Sequence, residues 1–201
     1  MSAMEIRAVE TGRLSLVPLA VEHADEMAEV LSDPALHVFI GGAPHSPQAL
    51  RARYERLVAG SPDPARTWWN WVIRLREEQC LTGTVQATIS TAEHGRTAEV
   101  AWVVGTPWQR RGIATEAARG LVGWLREQGV RAIRAHIHPD HHASGAVAAA
   151  AGLAPTDHRH EGEIRWELPP DQGFLRTTAR GVHGVVESSA PSSTVGMVPP
   201  R

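Results

Sequence analysis

Hydrophobic positions along the chain switch between two periods, and the switches divide it into elements. Residues 13–19 alternate, with Leu14, Leu16 and Pro18 on one face of a first strand. Over residues 21–31 apolar Ala24, Met27, Ala28 and Leu31 recur at helical spacing, and Asp33-Pro34 closes that helix. Residues 39–47 carry Gly41-Gly42 and two prolines and read as a loop. A second helix starts with Pro47 in its first turn and runs to about Val58, with Leu50, Tyr54, Leu57 and Val58 apolar. After a turn-rich break at 60–66, residues 68–75 and 81–90 read as an antiparallel pair joined by the polar turn 76–79. Gly83 inside the second of these predicts a bulge or a close backbone approach. The run Trp68-Trp69-Asn70-Trp71 is read mainly as core filling, with a stacking wall for an acceptor as the alternative use of one ring.

The chain is organised around residues 97–129. An apolar strand-like run at 98–104 leads through a turn with Pro107 into a basic loop. A helix follows, with Ala117, Ala118, Leu121, Val122 and Leu125 at helical spacing and Gly129 as its stop. The loop reads Gln109-Arg110-Arg111-Gly112-Ile113-Ala114. N–H groups at a helix start lack intrahelical partners and sit at the positive end of the helix dipole, so they bind anions. Gly112 lets the main chain approach a phosphate, and Arg110 and Arg111 add charge-assisted donors. The bare pattern is weakly specific, and an ordinary strand-to-helix turn with solvated arginines would also carry it. Its position between a strand and a helix favours a pyrophosphate cradle.

Residues 131–138 alternate, with Ala132, Arg134, His136 and His138 on one face and Arg131, Ile133, Ala135 and Ile137 on the other. The helix between this strand and the one at 98–104 makes the two strands parallel neighbours. A short helix at 144–151 and a last strand at 165–168 follow, with Ile164, Trp166 and Leu168 facing inward. Beyond Pro169 apolar density falls and Pro, Ser, Thr and Gly dominate. The expected division is a domain over 1–168 and a disordered tail over 169–201, with a short helix near Phe174.

Composition narrows the function classes. A length of 201 residues with 42% hydrophobic content suits one domain with a full core. A formal charge of −2 gives no basic field, so nucleic acid is not an expected partner. All 20 cationic residues are arginine. The single Cys80 forms no internal disulfide, the first residues lack an apolar signal core, and no run approaches a membrane span. A cytoplasmic protein with no membrane partner is the expectation.

The stretch from Ala98 through Pro107-Trp108-Gln109-Arg110-Arg111-Gly112-Ile113-Ala114-Thr115-Glu116 resembles motif A of the GNAT superfamily, the acyl-CoA-dependent N-acyltransferases. It is most similar to the branch containing ribosomal-protein N-terminal acetyltransferases. Two further segments match that branch in order, residues 11–34 and residues 138–156, so the resemblance spans about residues 11–168. It implies an α/β (α+β) GNAT fold with a mixed central sheet of about six to seven strands, about four flanking helices and a splayed parallel strand pair. It also implies acetyl-CoA as co-substrate, its pyrophosphate on Gln109, Arg110, Arg111, Gly112, Ile113, Ala114 and Thr115. Its pantetheine would bond to the strand backbone at Val103 and Val104. Acceptor selectivity would lie between Leu36 and Tyr54. Where the family has Asn-x-Ala-Ser ahead of the next helix, this chain has His141-His142-Ala143-Ser144. His141 therefore stands at a cofactor-binding position usually held by Asn, and Ser144 matches the serine beside the thioester sulfur. The tyrosine acid used elsewhere in the superfamily has no counterpart, because Tyr54 is the only tyrosine.

The chemistry requires a free-base amine, a donor for the oxyanion and an acid for the departing sulfur. Glu99 is the candidate base, with a structural or solvated strand Glu as the alternative reading. Ser144 is the candidate acid, and a backbone N–H near Val103 or Val104 the oxyanion donor. Six of the eleven histidines fall between His136 and His160. They lack Cys partners or a helical His-x-x-x-His, so no metal is expected, and a base role for His138 is the more natural reading. Two function classes stay open. One is an N-acetyltransferase acting on a small amine or an N-terminal α-amine, and the other an acyl-CoA-binding sensor or scaffold without turnover. Homodimers are common in such proteins, although no interface is specified here.

Overall fold

The computed structural model describes residues 5–92 and 95–169. Among the described residues eight strands form one sheet: β1 (Val9–Glu10), β2 (Leu14–Pro18), β3 (Arg66–Leu75), β4 (Cys80–Ala92), β5 (Gly95–Val104), β6 (Ala132–Ile137), β7 (Ala154–His160) and β8 (Glu163–Glu167). Their order across the sheet is β1-β2-β3-β4-β5-β6-β8-β7. Every pair is antiparallel except β5 with β6. The helices are α1 (Ala24–Val30), α2 (His37–Ile40), α3 (Pro47–Ala59), α4 (Ile113–Glu127) and α5 (His142–Ala150).

The sheet is larger than the sequence pattern predicts. β1 is only two residues long, and β7, reading APTDHRH, is an edge strand exposed along most of its length, so neither carries an alternating apolar signal. Residues 37–40 close one helical turn that runs into the expected loop at 39–47, and the first turn of the expected helix at 21–31 is 3-10. Helix α5 starts at His142 rather than Ser144. The expected tail, apart from Pro169, lies outside the described residues.

Strand alternation sorts the core onto two faces. On one, Leu14, Leu16, Trp69, Trp71, Ile73, Val85, Ala87, Val100, Ile133 and Ala135 pack with Ala117, Ala118, Leu121 and Leu125 of α4. Trp69, Trp71 and Trp124 meet edge to face with centroids 5.3–6.4 Å apart, and Trp71 Nε1 donates to the Arg7 carbonyl at 2.8 Å. Two of the three clustered tryptophans are therefore core residues, whereas Trp68 points to the other face and is half-buried. On that face Met27, Ala28, Leu50 and Tyr54 of α1 and α3 cover Val72 and Leu81. The helices cover only the β2–β4 end, and β5 and β6 are left uncovered there.

Thr82 is the extra residue of a β-bulge: Ile73 pairs with Gly83 and Arg74 with Leu81. Next to the bulge, β4 presses against the end of β5, and a Cβ on Gly83 would lie 2.1 Å from the Val103 carbonyl oxygen. Gly83→Ala should therefore displace the backbone at Val103 and cost about 1–3 kcal/mol, the range for overpacking. Urea unfolding measures it, and a cost within about 0.5 kcal/mol of zero would contradict this packing.

Candidate active site

Strands β5 and β6 pair only at Thr97–Ala132, Ala98–Ile133 and Glu99–Arg134. Beyond Glu99 they part, while β5 stays paired to β4 as far as Val104. Val103 and Val104 thus lie on a length of strand bonded on one side only. Gln109 bends back to donate from Nε2 to the Val104 carbonyl at 3.0 Å. Its amide fastens the loop to the strand end, a use that spacing did not reveal.

The loop then turns through two left-handed residues, Arg110 (φ 59°) and Gly112 (φ 77°). Gly112 is the N-cap of α4, and no side chain caps that end. Ile113 is buried in the core, and Ala114 packs against it. The residues anchor the helix start inward and leave its first N–H groups, without intrahelical partners, at the surface. These conditions suit a phosphate. Arg111 is engaged elsewhere, paired with Glu78 of the β3–β4 turn. Hydrogen bonding from Arg111 holds the Glu78 carboxyl below its ordinary range.

A scaffold not visible in the sequence supports this loop. Glu116, in the first turn of α4, accepts from Thr11 Oγ1 (2.7 Å), Arg13 N (2.6 Å) and Arg13 Nε (2.7 Å). Burial alone would push the Glu116 carboxyl up, but these bonds outweigh it and hold it down. Arg13 Nη1 also donates to the Arg111 carbonyl at 3.1 Å. A groove of about 630 Å³ runs beside the helix start, lined by Thr11, Arg13, Gly112, Thr115, Glu116 and Arg119 among others.

On the face of the sheet away from α4, Glu99 is half-exposed, and its Oε1 lies 3.2 Å from Nδ1 of His136. Thr88 and Trp68 continue the same cross-strand row. Ser144 sits on the opposite side, in the first turn of α5, so the two candidate catalytic side chains flank the parted strands rather than touch. His141 is the N-cap of α5, its Nδ1 accepting from Ser144 N at 3.5 Å. Its ring stacks on Phe39 at 4.2 Å, so the α2 segment reaches across to the β6–α5 loop. Burial, and secondarily His138, pushes the His141 imidazole pKa down. His138 Nδ1 accepts from Asp140 N within its own turn. Tyr54 is 2% exposed within the α1–α3 cluster, and burial pushes its phenol up. Among the described residues no three metal-ligating side chains come together, and no helix is long and apolar enough to cross a membrane.

The family model for the acetyltransferase (GNAT) domain matches residues 13–154. No curated protein matches the sequence. Among solved structures, a GNAT-family acetyltransferase from Bacillus anthracis superposes with a TM-score of 0.64 at 20% identity, covering 80% of this chain and 94% of its own. The microcin C7 self-immunity acetyltransferase MccE, in complex with acetyl-CoA and AMP, gives 0.63 at 16% identity, covering 78% and 92%. RimL, the ribosomal L7/L12 alpha-N-protein acetyltransferase, in complex with coenzyme A, gives 0.64 at 14% identity, covering 80% and 94%. These likenesses agree with the mixed sheet and its one parallel pair, and the family match spans both the parted strands and the helix-start loop: the chain belongs to the GNAT acetyltransferase family.

Proposed function

We propose that the protein transfers the acetyl group of acetyl-CoA to a primary amine, either a small molecule or a peptide N-terminus, by direct attack in a ternary complex in the cytoplasm. The observation that carries this reading is the one-sided length of β5 ending at an uncapped helix start. An extended pantetheine arm would bond along Val103 and Val104 as an added strand. The pyrophosphate would then lie on the N–H groups of the Arg110–Thr115 loop, with Arg110 adding charge. Gln109 and Arg111 serve that site through the loop's shape, since their side chains are used within the protein. His141, with Nδ1 accepting in the cap, keeps Nε2–H to donate where the family uses Asn. Bound acetyl-CoA supplies the thioester. Glu99 provides the basic function on the acceptor face, Ser144 protonates the leaving sulfur from the other side, and a β5 N–H near Val103 or Val104 stabilises the oxyanion.

Phe39 and the neighbouring α2 and α3 segment would border the acceptor, which gives the mouth an apolar edge. The RimL and MccE likenesses concern fold, and the acceptor class rests on the chemistry of the site.

Calorimetry with acetyl-CoA tests the cofactor. Wild type should bind in the micromolar range, and Gly112→Glu, folded by circular dichroism, should lose binding because a side chain and a negative charge enter the phosphate position. Equal binding by both would remove the loop from the site. For the chemistry, Glu99→Gln should lower kcat by about 10²-fold or more. Ser144→Ala should lower it with little change in acetyl-CoA affinity. Thiol release across a panel of amines measures both, and full turnover by both variants at every pH would overturn these roles.

A further inference from the structure

We propose that His136 is the group that takes the acceptor's proton, with Glu99 as its orienting partner. The inference rests on the acetyltransferase reading and refines the role given there to Glu99.

Glu99 and Arg134 are the last paired residues before β5 and β6 diverge. His136 stands two residues further along β6 on the same face as Arg134, and its Nδ1 reaches Glu99 Oε1 at 3.2 Å. The pair therefore bridges the two strands where they part, beside the route proposed for the thioester. A carboxylate only accepts hydrogen bonds, so the shared proton belongs to Nδ1, and the ring's lone pair is on Nε2. The imidazole side chain is 17% exposed, against 50% for Glu99, and the His160 ring lies beside it at 5.6 Å. A sheltered, oriented ring backed by a carboxylate is the arrangement that general-base catalysis uses.

The surrounding charges leave this role to Glu99. On β6, Arg134 pairs with Glu167 at 2.9 Å, and on β8 Arg165 pairs with the same oxygen at 3.1 Å. Just past the end of β6, His138 is turned toward Asp140. His160 on β7 lies opposite Glu163 of β8.

In the proposed step the acceptor ammonium gives one proton to His136 Nε2, and its freed lone pair forms the C–N bond to the acetyl carbon as the C–S bond breaks. Ser144 hands a proton to the sulfur and is resupplied by the second proton lost from nitrogen as the amide forms. The proton on His136 passes to water, so the balance is amide, thiol and one released proton.

Two nucleophiles separate this role from a structural one. Ethylamine is protonated at pH 7 and must lose a proton, whereas hydroxylamine is largely the free base. His136→Gln should lower ethylamine-dependent thiol release by about 10²-fold and leave the hydroxylamine rate near wild type. Equal loss with both, or no loss with either, overturns the proposal. A second readout needs no turnover. Long-range ¹H–¹⁵N correlation spectra of the free protein should show His136 as the Nδ1–H tautomer, and Glu99→Ala should shift it toward Nε2–H. An Nε2–H tautomer in wild type overturns the proposal equally. Failure of the wider reading has a different signature, a folded wild type that does not bind acetyl-CoA.

Discussion

Backbone N–H and C=O groups inside a protein have to be paired, and a strand normally meets that demand on both edges. Past Glu99, β5 meets it on one. The parting from β6 is built in from both sides of the sheet. The Thr82 bulge and the side-chain-free approach of Gly83 fix the end of β5 against β4, and β6 is drawn to the other side by its pairing with β8. Rigid packing on the α4 face holds both strands in these positions, so the exposed edge is part of the native state rather than a frayed end.

That geometry divides labour between the faces. The α4 side carries the uncapped helix start and, through α5, Ser144 and His141. The opposite side carries the Glu99–His136 bridge, on the part of the sheet that α1 and α3 leave uncovered. The Thr11–Arg13–Glu116 cluster ties the entry of β2 to the first turn of α4 and thereby sets the loop against the sheet. Charge on Glu116 maintains the tie. Since its carboxyl is held below its ordinary range, the stabilisation is present at pH values above the unfolded carboxyl's titration and is lost as acidification protonates it in the folded state.

What could be read in advance was whatever local periodicity encodes. The 97–129 stretch, the alternation of β6 and the close approach at Gly83 all emerge from nearest-neighbour pattern, and their elements stand where that pattern puts them. β7 was missed because an edge strand exposed on most positions has no apolar stripe to detect. The helical turn at 37–40 was missed because Gly41-Gly42 dominates its signal. Contacts between residues distant in the chain were out of reach. Alternation placed His136 and His138 on one face, but only the side-chain contacts across the parted strands show that the former meets Glu99 while the latter turns to its own loop. The Arg13–Glu116 tie spans 103 residues and leaves no local trace.

Apart from histidine, the ion pairs of the fold are made by one kind of cation. Arg13 with Glu116, Arg111 with Glu78, Arg76 with Glu10 and Arg51 with Asp25 all use guanidinium. A guanidinium stays protonated at any working pH and is no nucleophile toward a thioester, whereas a lysine amine is a ready one. Acetylation of a lysine would erase its charge and its pairing. With no lysine in the sequence, the chain offers an acyl donor of the kind proposed above no side-chain amine to acylate.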